Sequence, residues 1–121
     1  MANEHARDQT LPLFEGERKR LLLVASTGGH LSQLVRLARR EGADDSSLWV
    51  TFDSPQSRSL LHNKPIFWAD YVAPRDLSGT LRLYRRLQRE VDAASFDGVL
   101  STGAAVAVAA MLWAKRNRLP G

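Results

Sequence analysis

The feature that most constrains the fold is an apolar run at residues 21–25, Leu-Leu-Leu-Val-Ala, in which no polar residue alternates. A run of this length is typical of a strand that is buried on both faces of a parallel sheet. It ends at the small residues 26–29, after which apolar residues recur at helical spacing: Leu31, Leu34, Val35 and Ala38. The segment therefore predicts a strand, a tight glycine turn and an amphipathic helix.

The same alternation continues along the chain. Further strands are predicted at 48–52, 66–69 and 96–100, and further helices at 55–61, 77–94 and 104–116. Strands that alternate with helices form a parallel sheet, because right-handed crossovers place the helices on both faces. We therefore expect an α/β fold with a Rossmann-like parallel sheet. Residues 1–17 show no periodicity and are expected to be a disordered leader, and 18–121 a single domain that is truncated at its C-terminus.

The composition excludes several kinds of site. The sequence contains no cysteine, which rules out a thiolate zinc site, a disulfide scaffold and a cysteine nucleophile. The histidines, His5, His30 and His62, are too scattered to predict a metal site, and no cofactor is expected. No apolar stretch approaches the roughly 20 residues of a membrane-spanning helix, and the N-terminus lacks the apolar core of a signal peptide. A cytoplasmic location is therefore expected.

Two loops of small residues are the strongest candidates for a binding site. Thr27, Gly28 and Gly29 follow the first predicted strand, and Ser101, Thr102 and Gly103 follow the fourth. The carboxyl ends of parallel strands lie at one edge of a sheet, where α/β folds bind ligands. Glycines allow close approach, and a helix N-terminus offers unpaired N–H groups, a combination that favours phosphate. Each loop could instead be a close-packed turn that binds nothing.

His30 directly follows the first loop, at the first position of the predicted helix. A neutral imidazole there can accept a proton from a sugar hydroxyl or position a diphosphate. A capping or surface histidine is the alternative. Asp53 or Ser54 is expected to cap the helix that begins at Pro55. Asp53 ends the second strand, and we expect it to cap that helix rather than to bind a ribose.

Basic residues exceed acidic ones and give a formal net charge of +4. Five arginines lie on or just before the helix at 77–94, namely Arg75, Arg82, Arg85, Arg86 and Arg89, opposite an apolar stripe of Leu77, Leu81, Tyr84, Leu87 and Val91. They form either a solvated face or a contact with an anionic membrane or lipid diphosphate. Nucleic acid is not expected, because no aromatic residues interleave with the arginines. The last helix is apolar all round, which predicts a central core helix or contact with a partner or lipid.

Three segments resemble the Alg-fourteen-like family of oligosaccharide-biosynthesis proteins. They are LLVASTGGHL at 22–31, WVTFD at 49–53 and VLSTGA at 99–104, and the resemblance spans about residues 19–121. Members of this family correspond to the N-terminal half of a MurG-like GT-B glycosyltransferase. The resemblance therefore implies the N-terminal half of the GT-B fold.

The resemblance also implies a function at the inner face of the cell membrane. This half would bind the membrane and a polyprenyl-diphosphate-linked acceptor, and a separate or fused half would bind a UDP-sugar, usually UDP-N-acetylglucosamine. The loop from Thr27 to His30 matches the acceptor-side loop of the family, with His30 as the candidate base, and the loop at 101–103 matches its second loop. Two alternatives remain: a non-catalytic subunit that recruits the donor-binding partner to membranes, and an unrelated small nucleotide binder. The missing GxGxxG fingerprint counts against the latter.

Overall fold

A computed structural model describes residues 18–103 and 105–121, so the predicted leader at 1–17 lies outside the described residues. The strands are β1 (Leu21–Ala25), β2 (Leu48–Phe52), β3 (Ile66–Ala69) and β4 (Gly98–Thr102). The α-helices are α1 (Gly29–Arg40), α2 (Pro55–Leu60), α3 (Leu77–Glu90) and α4 (Ala105–Arg116), and a 3-10 turn spans Ala93–Ser95. Strand and helix alternate through to α4, as the sequence predicts.

The four strands form one parallel sheet in the order β3-β2-β1-β4. The α/β prediction is confirmed, and the arrangement is consistent with a Rossmann-like fold. The chain moves outward from β1 to β3 and then returns to the other side of β1. The loops after β1 and β4 therefore flank the point at which the strand order reverses, which is where open α/β sheets bind ligands.

The central strand β1 separates two apolar cores, and all five of its residues are fully buried. Leu21 and Leu23 face the core that contains α1. Leu22 and Val24 face the larger core, to which α3 and α4 contribute. Helices thus cover both faces of the sheet, which explains why the run at 21–25 carries no polar residue.

The predicted apolar stripe of α3 is wrong in its first half. Leu77 is 77% exposed and Leu81 is 44% exposed, and the helix buries Gly79, Thr80, Leu83 and Leu87 instead. At the start of the helix the Asp76 carboxylate accepts a hydrogen bond from the Gly79 N–H at 2.9 Å. The Thr80 hydroxyl also donates to the Asp76 carbonyl at 2.8 Å. The first turn of α3 therefore packs its small residues inward, next to Asp76, and leaves two leucines in solvent.

Helix α3 also ends at Glu90 rather than near residue 94. Val91 is extended, and the Asp92 carboxylate accepts from the Ala94 N–H at 3.1 Å, which starts the separate 3-10 turn. An aspartate that binds the backbone two residues ahead competes with helix continuation. The predicted helix at 77–94 is therefore two elements.

Helix α4 is apolar on all sides but is buried on one. Val106, Ala109 and Trp113 lie in the larger core, and Val108 and Leu112 are exposed. The prediction of a core helix is confirmed for the inner side. Within the described ranges, 18–103 and 105–121, no helix has both the length and the hydropathy needed to cross a bilayer.

Candidate functional site

The structure places both small-residue loops at the same rim of the sheet. β1 and β4 are hydrogen-bonded neighbours, and Ala25 at the end of β1 lies opposite Thr102 at the end of β4. The Thr102 hydroxyl donates to the backbone carbonyl of His30 at 2.6 Å, which links the second loop to the first turn of α1. The Ser101 hydroxyl donates to the Val24 carbonyl at 2.8 Å and so fastens β4 to β1.

These bonds limit what the second loop can offer a ligand. Each serine or threonine hydroxyl has one proton, and in Ser101 and Thr102 that proton is donated to backbone. Their oxygens remain acceptors, which do not favour an anion. Within the described residues, the half-buried Thr27 hydroxyl makes no hydrogen bond and can donate to a ligand. Ser101 and Thr102 therefore shape the rim, and the first loop carries the free donors.

Gly103 brings the two loops into contact. It has a φ of +109°, and a Cβ at this position would lie 3.0 Å from the Ser26 hydroxyl oxygen. A side chain at residue 103 would thus be strained and would also press on the first loop. Because the loops touch, a ligand at this rim must lie over their contact, against the first turn of α1.

The first turn of α1 has open backbone donors. The helix begins after Gly28 without a side-chain cap and without an acidic residue in its first turn. The first helical bond runs from the Ser32 N–H to the Gly28 carbonyl, so the N–H groups of Gly29, His30 and Leu31 have no helical partner. Gly29 and His30 are exposed. Aligned donors at the positive end of a helix dipole attract an anion.

His30 lies at the second position of α1, one residue later than predicted, because the helix begins at Gly29. The residue is exposed, and within the described part of the chain its imidazole makes no hydrogen bond or ion pair. An unpartnered imidazole at this rim can accept a proton from a bound hydroxyl.

Gln56 is the residue of this rim that the sequence analysis missed. Its side-chain oxygen accepts from the Gly28 N–H at 2.6 Å, and its side-chain nitrogen donates to the Gly28 carbonyl at 2.9 Å. Gln56 reaches the loop because α2 starts just after β2, at the same edge of the sheet. That placement is the one sequence signal that could have indicated it.

Asp53 does not cap α2, which corrects the sequence prediction. Ser54 caps the helix, since its hydroxyl accepts from the Ser57 N–H at 3.0 Å. Asp53 instead forms a two-point ion pair with Arg58, with distances of 2.6 and 2.7 Å. The Arg58 guanidinium lowers the pKa of Asp53, and the carboxylate raises the pKa of Arg58. A ribose would have to compete with Arg58 for the Asp53 carboxylate, which counts against the nucleotide-binder alternative.

The predicted arginine set separates into two groups. Arg75, Arg82, Arg85 and Arg89 are exposed, but Arg86 is only partly so. The Arg86 guanidinium lies 4.5 Å from the centre of the Phe67 ring, donates to the Trp68 carbonyl at 3.3 Å and pairs with Glu90 at 3.2 Å. Arg86 therefore fastens α3 to β3, which leaves its guanidinium less available to an anionic surface than those of the other four arginines.

Two cavities lie at the opposite, amino-terminal edge of the sheet. One of about 210 Å³ is lined by Arg18, Trp49 and Lys64, among others, and an open one of about 540 Å³ includes Gln88 and Trp113. Neither includes a residue of the two loops.

In comparisons with known proteins, no family model, no curated protein and no solved structure matches this chain. Any assignment of function must therefore be argued from the rim itself.

Proposed function

We propose that this chain is the acceptor- and membrane-binding half of a glycosyltransferase in polysaccharide or glycolipid synthesis. The acceptor is linked to a polyprenyl diphosphate. The donor is a UDP-sugar, with UDP-N-acetylglucosamine as the first candidate, and a separate or fused partner half binds it. One observation carries the proposal: both small-residue loops meet at one rim, beside the uncapped first turn of α1. Such a turn suits a diphosphate.

In this proposal the diphosphate accepts hydrogen bonds from the N–H groups of Gly29 and His30, and from the Thr27 hydroxyl. The His30 imidazole takes the proton from the acceptor hydroxyl. The acceptor oxygen forms a bond to the anomeric carbon of the donor sugar, while the bond from that carbon to the UDP phosphate oxygen breaks. UDP leaves with the electron pair, and His30 later returns its proton to solvent.

Farnesyl diphosphate, titrated into ¹⁵N-labelled protein, tests the proposal because it carries a diphosphate on a short isoprenoid. We expect NMR shift changes to concentrate in the amides of 27–31 and 101–103. Gly103→Ala should weaken this binding about tenfold, because the strained backbone at residue 103 and the Cβ 3.0 Å from the Ser26 hydroxyl oxygen disturb the contact between the two loops.

Gly42→Ala is the matched control. Gly42 also has a positive φ, +75°, but no heavy atom lies within 4 Å of its Cβ position, and it follows α1 at the opposite edge of the sheet. Both variants should lose stability to backbone strain, on the order of 1–3 kcal/mol, and Gly103→Ala should lose more because of its contact with Ser26. Only Gly103→Ala should weaken the binding of farnesyl diphosphate. Shifts that cluster away from the two loops would contradict the proposal.

The exposed face of α3 favours a second candidate, a non-catalytic subunit that recruits the donor-binding half to membranes. Leu77 and Leu81 are exposed on the same helix as Arg82, Arg85 and Arg89. At 100° per residue, Leu81 and these arginines share the side of α3 opposite its buried residues. Apolar residues beside arginines suit an anionic lipid surface.

Vesicle flotation distinguishes the recruitment candidate. The double variant Arg82→Glu/Arg85→Glu should lose at least about thirtyfold of its affinity for vesicles rich in phosphatidylserine, since each arginine contributes about 1 kcal/mol. Arg36→Glu/Arg39→Glu reverses two exposed arginines on α1 and should bind nearly as well as the unmodified protein. An equal loss of vesicle affinity in both double variants would mean that net charge, and not this face of α3, drives binding. Vesicle binding by a His30→Ala protein that is also fully active in transfer would favour recruitment over catalysis.

A further inference from the structure

The side chain of Gln56 holds both backbone groups of one residue in the first loop. It accepts from the Gly28 N–H at 2.6 Å and donates to the Gly28 carbonyl at 2.9 Å, and its nitrogen also lies 3.4 Å from the Ser32 hydroxyl. Bonds to the N–H and the carbonyl of the same residue restrain its φ and ψ together. Gln56 therefore restrains the backbone of the glycine loop directly.

Gly28 needs such a restraint. Its φ of 82° and ψ of −141° lie in a region that glycine adopts and other residues avoid. No heavy atom lies within 4 Å of the position that a Cβ would take, so packing on that side does not fix the conformation. An unusual backbone conformation persists only where its surroundings determine it. The Ser32 N–H binds the Gly28 carbonyl at 3.2 Å, and the amide of Gln56 binds both the carbonyl and the N–H of Gly28.

Gln56 also determines which donors of the loop stay available. β2, which leads into α2, lies on the opposite side of β1 from β4. The Gly28 N–H is directed to Gln56 on that side, and Thr102 binds the His30 carbonyl from the β4 side. The loop is thus held from both sides, and the N–H groups of Gly29 and His30 remain for a ligand.

We infer that Gln56 is a positioning residue, which sets the conformation of Gly28 and thereby aligns the donors of Gly29 and His30 for a diphosphate. The alignment of donors for a diphosphate rests on the proposed function. The restraint of the Gly28 backbone by Gln56 does not.

Amide hydrogen exchange and farnesyl diphosphate binding test the two parts separately. Gln56→Met keeps the bulk and helix propensity of the residue but removes the amide. Exchange at Gly28 should become about tenfold faster, and the dissociation constant of farnesyl diphosphate should rise about tenfold. Exchange in β1 should stay unchanged, which a general loss of stability would not allow. Ser59→Ala, at an exposed position of the same helix, is the control and should alter neither value.

The exchange and binding results each decide one part of the inference. Unchanged Gly28 exchange in Gln56→Met overturns the inference, and so does faster exchange with unaltered farnesyl diphosphate binding. If the unmodified protein does not bind farnesyl diphosphate, the proposed function fails, and the exchange data still decide whether Gln56 holds the loop. If Gln56→Met does not fold, Gln56→Asn gives the same comparison, because its amide is one methylene too short to reach both groups of Gly28.

Discussion

His30→Ala is expected to lower the rate of sugar transfer by about 10²- to 10⁴-fold, in an assay reconstituted with a donor-binding half. The reason is that the imidazole is the unpartnered proton acceptor at the rim where the two loops meet. The variant should fold normally, since His30 is exposed and its contact with Thr102 is made through the backbone carbonyl. Transfer of labelled N-acetylglucosamine from its UDP donor to a polyprenyl-diphosphate acceptor measures the effect.

His62→Ala is the matched control, because His62 is an exposed histidine that follows α2, outside the two loops. It should leave the transfer rate unchanged. Retention of full activity in His30→Ala, with His62→Ala equally active, would remove His30 from the reaction. The diphosphate site could survive that result, since its donors are backbone N–H groups.

The features that were predictable from the sequence follow from burial and from the order of strands and helices. The run at 21–25 lacks alternation because both faces of β1 are buried, and such burial leaves a direct mark on composition. The placement of the two loops at one rim follows from strand and helix alternation alone, because parallel strands end at the same edge. The segment from Thr27 to His30 could be placed at that rim for the same reason.

What the sequence did not indicate depends on contacts between distant residues. Gln56 binds a residue 28 positions away, and nothing in its neighbours marks a glutamine that will reach another loop. Arg86 looks like the other arginines of α3, and only its position over Phe67 shows that it is committed to packing. The buried face of α3 includes Gly79 and Thr80, which also bind Asp76 at the start of the helix, whereas Leu77 and Leu81 are exposed despite their apolar spacing. In each case the deciding contact lies outside the local pattern from which the prediction was made.

Trp113→Ala is expected to lower the free energy of unfolding by about 3–5 kcal/mol. Trp113 is fully buried in the larger core and meets the Phe96 ring edge-on, with 6.2 Å between ring centres. Its indole N–H is buried and has no hydrogen-bond partner in the described part of the chain, so the loss comes from packing alone.

Urea unfolding measures the change, with the neighbouring Leu112→Ala as control. Leu112 is 42% exposed, and its truncation should cost under about 1 kcal/mol. A large loss in Leu112→Ala as well would mean that a second copy or another protein covers the outer side of α4. A small loss in Trp113→Ala would mean that α4 does not belong to the core.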